Sequence, residues 1–423
     1  MSLILVVVFL VLLVLNVPVA FSLAIASLLA LAQGGIPLTL VVQRMTNASD
    51  SFILLAIPFF ILAGNLMARG GMSQAIIDFA ESIVGFIRGG LAQVNILTSL
   101  FFAGITGAAV ADTSAIGSIL IPPMLRRGYH RDLTTAVTAS SSTIGVIVPP
   151  SIPMVIFGVV TGVSVGRMFL GGLLPGLLVT LMLMVVTYVI SLRRGYERGA
   201  VPRLGTIGRN LRRSILALLM PLIIIGGIIS GVFTPTEAAV IAVAYALVIG
   251  LLVTRTLHLR DLPGIALETA KTSAVVMLMI AAASLYGWIL TRERIPVAAA
   301  NYIASLTSEP ALILLLMVAI YIAAGTVMDL GANIIILVPV LFPITSLLGI
   351  DPVHFGVVTV MALSIGLITP PVGACLFVSC GISKTPILEA SGMTLIYILG
   401  LLGITILLIF FPQLVLWVPN TFM

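Results

Sequence analysis

Gly145-Val-Ile-Val-Pro-Pro-Ser151 sets two adjacent prolines in the middle of an apolar segment. The same pattern returns 221 positions later as Gly366-Leu-Ile-Thr-Pro-Pro-Val372. Proline has no backbone N–H, clashes with the preceding helical turn and drives the residue before it out of helical geometry. Each stretch therefore reads as a break in a membrane helix. Paired breaks at corresponding places in two halves of a hydrophobic chain point to a transporter binding site.

The composition fixes the surroundings of these breaks. Of 423 residues, 60% are apolar and 8% charged, against about 25% charged in soluble domains. The mean hydropathy is +1.29. Runs such as Leu3–Leu15, Gly171–Leu192 and Leu395–Val418 call for a bilayer. The chain is expected to be an all-α polytopic membrane protein. The first apolar run lacks a basic flank, so a cleaved signal peptide is not expected. Cys375 and Cys380 lie in an apolar segment and read as small core residues. His130, His258 and His354 are scattered without ligand spacing. There is no nucleotide-binding Gly-rich loop followed by Lys-Ser/Thr, no nucleophile or metal constellation, and so no enzyme or cofactor is expected. The net charge of +6 sits in arginines at segment ends, a topology signal rather than a nucleic-acid one.

Working outward, the chain divides into two similar units. In the first (1–192), Leu3–Leu15 and Val19–Ala32 flank Asn16-Val-Pro18, reading as two short crossings or one kinked helix. Gly34–Asp50 is loop-like or interfacial, Ser51–Ala68 a span, and Arg69–Arg88 an amphipathic helix at the membrane surface. Residues 90–125, interrupted by glycines and Asp112, suit a re-entrant hairpin. Residues 133–165 hold the first break, and Met168–Leu192 is a span. Arg193–Arg213, with seven Arg and one Glu, reads as a solvated linker. In the second unit (214–423), spans are expected at Ser214–Gly231, Glu237–Thr254 and Thr272–Leu290. Arg292–Ser308 is again amphipathic, 310–348 a hairpin, 353–383 the second broken helix, and Gly392–Val418 the last span. Asp329 follows Asp112, Pro339 follows Pro122 and Pro235 follows Pro18 by 217 positions each; Gly349 follows Gly128 by 221. This is a repeat.

Charge orients the repeats. Arg126, Arg127 and Arg131 at the base of the first hairpin place it with the linker in the cytoplasm, whereas Leu341–His354 carries no Lys or Arg and belongs outside. The two repeats are thus expected to be inverted, with both chain termini in the periplasm. Hairpin backbone is tolerated at membrane depth only beside protein or a cavity. Freed carbonyls and hydroxyls there attract cations, and half-helix N-termini attract anions. Asp112 and Asp329 are costly in lipid and read as interior groups that cap tip N–H donors or bind an ion. Glu237 after Thr234-Pro-Thr236 reads as a helix cap. Ser140, Ser141 and Ser142 either line a cavity or bond within their helix.

Four motifs carry a resemblance: Phe102-Ala-Gly-Ile-Thr-Gly-Ala-Ala-Val-Ala-Asp-Thr113, Gly145-Val-Ile-Val-Pro-Pro-Ser-Ile-Pro153, Phe233-Thr-Pro-Thr-Glu-Ala-Ala239 and Gly366-Leu-Ile-Thr-Pro-Pro-Val-Gly373. Together they resemble the large membrane subunit of TRAP transporters, the DctM-like family, over essentially the whole chain. The resemblance implies a Na⁺-driven elevator-type importer of small organic acids in the bacterial inner membrane. It implies two partners: a small four-helix membrane subunit, expected on a separate chain since no such extension precedes Met1, and a periplasmic substrate-binding protein. It implies a first Na⁺ site from Ala103, Thr106, Gly145, Val148 and Pro150, and a second from Gly325, Gly366, Thr369 and Val372. Ala103 stands where the family often has Ser. Asp112, Ser140, Ser141, Ser142, Ser151, Thr326 and Asp329 are candidates for the substrate cavity. The competing readings are a stand-alone divalent-anion symporter or antiporter of similar architecture and, from another class, a channel.

Overall fold

The computed structural model describes residues 1–199, 201–202, 204–299, 307 and 309–423. Among them all regular structure is helical, apart from one isolated antiparallel bridge between Arg88 and Arg198. Among the described residues six helices are long and apolar enough to cross a bilayer: Phe52–Arg69, Val165–Arg193, Leu204–Ile229, Pro235–Val253, Leu259–Arg292 and Ile387–Phe410. Arg131–Ile147 and Ile152–Thr161 make a further crossing, bent by 42° at the first Pro-Pro. The all-helical membrane architecture expected from composition is what the chain adopts.

The helices pack in two groups. A framework joins Ser2–Val14, Val19–Gln33, Thr39–Ser49, Ala56–Arg69, Met72–Val84, Leu204–Ile229, Pro235–Val248 and Leu262–Arg292. The second group, an inner bundle, holds the hairpins, the broken helices, Val165–Arg193 and Ile387–Phe410. Within it the halves exchange arms. The second arm of the first hairpin, Ala109–Arg126, packs on Ala374–Ser383 from the second break. Reciprocally, Leu330–Leu341 of the second hairpin packs on Ile152–Thr161 from the first. Side chains weld this crossing: Ser379 Oγ donates to Thr135 O at 2.8 Å, and Thr135 Oγ1 donates to Ser383 Oγ at 2.7 Å.

Several boundaries depart from the sequence reading. Ser2–Val14 and Val19–Gln33 are separate antiparallel helices, because Gly34 returns to lie against the Met1 sulfur; the turn has Asn16 at φ 60°. At 13 and 15 residues they measure about 20 and 22 Å, short of the ~30 Å hydrocarbon core. The expected last span, Gly392–Val418, is instead Ile387–Phe410 followed by a separate helix, Gln413–Phe422. Pro412 cannot continue a helical hydrogen-bond ladder. The second hairpin's return arm stops at Leu341, before Pro343 opens a short helix, Pro343–Leu347.

The first amphipathic segment forms Met72–Val84, which buries Ile76, Ile77 and Phe79 between Leu204–Ile229 and the first hairpin. The second, Arg292–Ser308, lies in part outside the described residues. Most described residues of the linker are exposed, but contacts fasten both of its ends. Arg194 grips Asp132 through two bonds of 2.7 and 2.6 Å, and Tyr196 stacks on Tyr129 at 4.5 Å. From Leu204 the chain is already helical, and Asn210 Nδ2 donates to Asp78 O at 3.0 Å. One end of the linker is therefore fastened to the inner bundle and the other to the framework.

Candidate ion and substrate site

The prolines shape the breaks. Pro149 and Pro150 remove the N–H groups that would bond the carbonyls of Gly145 and Val146. Ser151 replaces one of them: its Oγ donates to Val146 O at 2.5 Å and accepts from Met154 N at 3.3 Å. Both Pro149–Pro150 and Pro370–Pro371 are cis. Each hairpin tip rests on the break of its own half, backbone against backbone. Ile152 N donates to Gly107 O at 3.2 Å. A Cβ on Gly366 would lie 2.6 Å from Gly325 Cα, so neither glycine leaves room for a side chain.

Asp112 sits in the first turn of Ala109–Arg126 and is wholly buried. Its Oδ1 accepts from Thr106 Oγ1 across the hairpin tip. Its Oδ2 has no partner and points at Gly145, where a Cβ would meet Oδ2 and stand 3.2 Å from Cγ. Ala103 is buried one turn before Thr106 on the other hairpin arm, Gly90–Thr106, and Val148 and Pro150 follow within the break. The structure thus gathers Thr106, Gly145 and Asp112 at one point. A buried carboxylate with an open oxygen is costly unless a cation or proton compensates it.

The second cluster has a different composition. Gly325 and Gly366 touch, and Thr369 lies one turn along, its Oγ1 donating to Ile365 O at 2.7 Å. That bond leaves the hydroxyl's lone pairs available to a cation. Val372 is 50% exposed, so only its carbonyl is suited to a ligand. Asp329, the residue aligned with Asp112, is not buried: it caps Leu330–Leu341 by accepting from Gly331 N at 3.0 Å.

A cavity of ≈ 220 Å³ lies between the inner bundle and the framework. The bundle contributes Ala109, Ile152 and Leu330, each the first residue of its helix. Three helix N-termini thus meet at one wall; the first N–H groups of Ile152–Thr161 are already taken by Gly107 O and Ser151 Oγ, but each terminus carries a partial positive charge. Asp329 offsets that of its own helix. The framework contributes Ile61, Thr272, Val276 and Met279, near the middle of the ~46 Å length of the 31-residue helix Leu262–Arg292.

Of the seven cavity candidates, Asp329 alone lines this cavity. Ser141 bonds Ser99 at 2.9 Å and Asn95 at 3.0 Å, fastening hairpin to broken helix. Ser142 back-bonds to Thr138 O, and Ser140 is buried. Ser151 caps its helix, Thr326 bonds Ala323 O, and Asp112 belongs to the first ion cluster. The framework side of the cavity was missed altogether, because Thr272, Val276 and Met279 fall in an apolar run with no motif. Thr272, a hydroxyl facing the inner bundle, was its only sequence signal. Glu237 is a cap as read: Thr234 and Glu237 form a reciprocal capping box.

Broken helices, paired hairpins and a midplane cavity define a secondary transporter. Residues 6–414 match the family described as the DctM component of the tripartite ATP-independent periplasmic transporter. The chain belongs to this family of transporter permeases and is a multi-pass protein of the inner membrane. It is 41% identical over 411 residues, 96% of each chain, to the sialic acid TRAP transporter large permease protein SiaM of Vibrio cholerae. It is 40% identical over 402 residues, 95% of this chain and 63% of the relative, to the isethionate TRAP transporter permease protein DctMQ of Oleidesulfovibrio alaskensis. Among solved structures, the YdaH transporter of Alcanivorax borkumensis matches with a TM-score of 0.62 at 17% identity, covering 88% of this chain and 87% of that one. That likeness concerns the fold.

Proposed function

We propose that this chain imports a small organic anion by coupling it to Na⁺, with the inner bundle moving as an elevator against the framework. The observation that carries the reading is Asp112: a buried carboxylate whose free oxygen faces a broken helix, in the same unit as a cavity walled by helix N-termini. A cation place and an anion place then lie side by side. Na⁺ takes Asp112 Oδ2, the Thr106 hydroxyl and carbonyls of the first break. A second Na⁺ takes carbonyls of the second break with the Thr369 hydroxyl. Each ion bridges a hairpin tip to a break and so firms the cavity wall. The anion meets the N-terminus at Ala109, with the partial positive charge of the Ile152 terminus beside it. Two Na⁺ with a monoanion move one net charge inward, contributing about 2.3 kcal/mol per 100 mV.

The names of two relatives, sialic acid and isethionate transporters, fit an organic acid as cargo. The partners in this proposal are a periplasmic substrate-binding protein and a small four-helix subunit on its own chain; the longer isethionate relative fits a larger single chain. The repeats are inverted, with Arg193–Arg213 in the cytoplasm and both termini outside.

Reconstitution in liposomes with both partners and a Na⁺ gradient tests this. Uptake is expected to require Na⁺ and the binding protein, and Asp112→Asn at normal expression is expected to abolish Na⁺ activation. Strong uptake by this chain alone favours the stand-alone carrier, and an Asp112→Asn protein with unchanged Na⁺ dependence defeats the ion assignment.

A further inference from the structure

A second cavity, of ≈ 360 Å³, continues along the same elements as the first. Met279 and Ile156 line the inner cavity, and Ile280 and Val159 line this one. It runs toward the Arg292 end of Leu262–Arg292, away from the linker, and ends at Thr291 and Ala48. At that mouth stands Trp288, on the helix face shared with Ser284 and Thr291 at i−4 and i+3. Arg44, four residues before Ala48 on Thr39–Ser49, lies 5.4 Å from the Trp288 ring centroid, and Arg292 lies 5.5 Å from it. Both arginines are exposed, and none of the ion pairs among the described residues includes either. The nearby Glu293 is turned to the chain's amino terminus, accepting from Ser2 N at 3.3 Å.

Two guanidinium groups held at one ring place two unpaired positive charges on one short stretch of surface, and an anion bound there relieves their mutual repulsion. The indole offers each a π face, which holds the forks in place while leaving their N–H edges open. Arginine at the non-cytoplasmic end of a span also runs against the usual distribution of basic residues. We propose that Arg44, Trp288 and Arg292 form an entry site that holds a carboxylate or sulfonate at the mouth of the outer cavity before it reaches the inner one. The planar guanidinium edge matches either group bidentately. This rests on the anion-import reading above.

The test separates the two. In a background with Cys375→Ala and Cys380→Ala, a Ser284→Cys reporter is labelled with a negatively charged sulfonatoethyl and a positively charged trimethylammonium-ethyl methanethiosulfonate, in full-length protein. The anionic-to-cationic rate ratio is expected to fall about tenfold or more in Arg44→Gln/Arg292→Gln, the scale on which a charged cleft concentrates ions. It is expected to recover in Arg44→Lys/Arg292→Lys, and to collapse for the parent near 1 M salt. Thr291→Cys is the second reporter if Ser284→Cys does not express. An unchanged ratio overturns the anion site, and weakened binding-protein affinity with an unchanged ratio assigns the arginines to protein docking instead. In the transport assay the double Gln variant is expected to raise KM with kcat kept; a lowered ratio with KM unmoved removes the site from the transport path. A parent complex that transports nothing refutes anion import, while the labelling ratio still judges the site.

Discussion

At the residue scale, the pair Asp112 and Asp329 shows how far alignment of the two halves carries. Both were legible as interior acids because a carboxylate at membrane depth needs a reason to be there. Their roles diverge: one is buried with a free oxygen beside Gly145, and the other caps a helix at the cavity. Spacing alone does not reveal that difference, since it depends on how the hairpin tip is closed. Thr106 supplies the closing hydroxyl in the first half, and nothing equivalent reaches Asp329 in the second. Thr369 gives the sharpest test of the second ion cluster. Thr369→Val keeps shape but removes a hydroxyl whose contact with a charge is worth roughly 1.5–3 kcal/mol. The Na⁺ concentration for half-maximal uptake is expected to rise about tenfold or more. Thr405→Val, which removes a similar bond to Leu401 O in Ile387–Phe410, is expected to leave it unchanged. Equal Na⁺ dependence in both variants places the second ion elsewhere.

At the scale of elements, the hairpins and breaks were readable because proline and glycine act locally, so their sequence signal does not depend on the rest of the fold. Ser140, Ser141 and Ser142, for which the sequence left a cavity lining and bonding within the helix both open, were not decidable for the opposite reason. The hydroxyls of the run Thr134–Thr143 look like a cavity lining in one dimension. In three they meet the hairpin arm, as in Asn95 Nδ2 to Thr138 Oγ1 at 2.8 Å. Interhelical hydrogen bonds of this kind hold apolar helices together where lipid supplies no hydrophobic drive. The framework wall of the cavity was illegible because it is made by ordinary apolar residues that matter only through what faces them. The glycine contact between hairpin and break yields a prediction here. Gly366→Ala forces a methyl into Gly325, at an overpacking cost of about 1–3 kcal/mol. Uptake is expected to fall well below that of Gly381→Ala, whose Cβ meets nothing within 4 Å. A thermal-shift series is expected to show Gly366→Ala still folded, with its stabilisation by Na⁺ reduced.

For the whole molecule, the inverted arrangement is tested by sidedness. Arg127→Cys is expected to react with impermeant reagents only from the cytoplasm, and Asp351→Cys only from the periplasm. Reaction of both from one side ends the inverted-repeat reading. The sequence argues for this layout through one asymmetry, arginines at one hairpin base and none at the other, and carries no sign of the docking of the linker. That docking depends on Asp132, Tyr129 and Asp78, which are distant in sequence from the Arg194, Tyr196 and Asn210 they meet. Its consequence concerns reach. Tyr196 is clasped by the inner bundle, and from Leu204 the chain belongs to the framework. Seven residues lie between those anchors, and the eight steps from one to the other, pulled straight, cover roughly 27 Å. The linker is therefore a leash: its contour sets an upper limit on how far the two bodies can part at that face without tearing the stacked tyrosines or the Arg194–Asp132 clasp. For the elevator proposed above, shortening it by deletion is expected to shorten the stroke before it touches any binding residue.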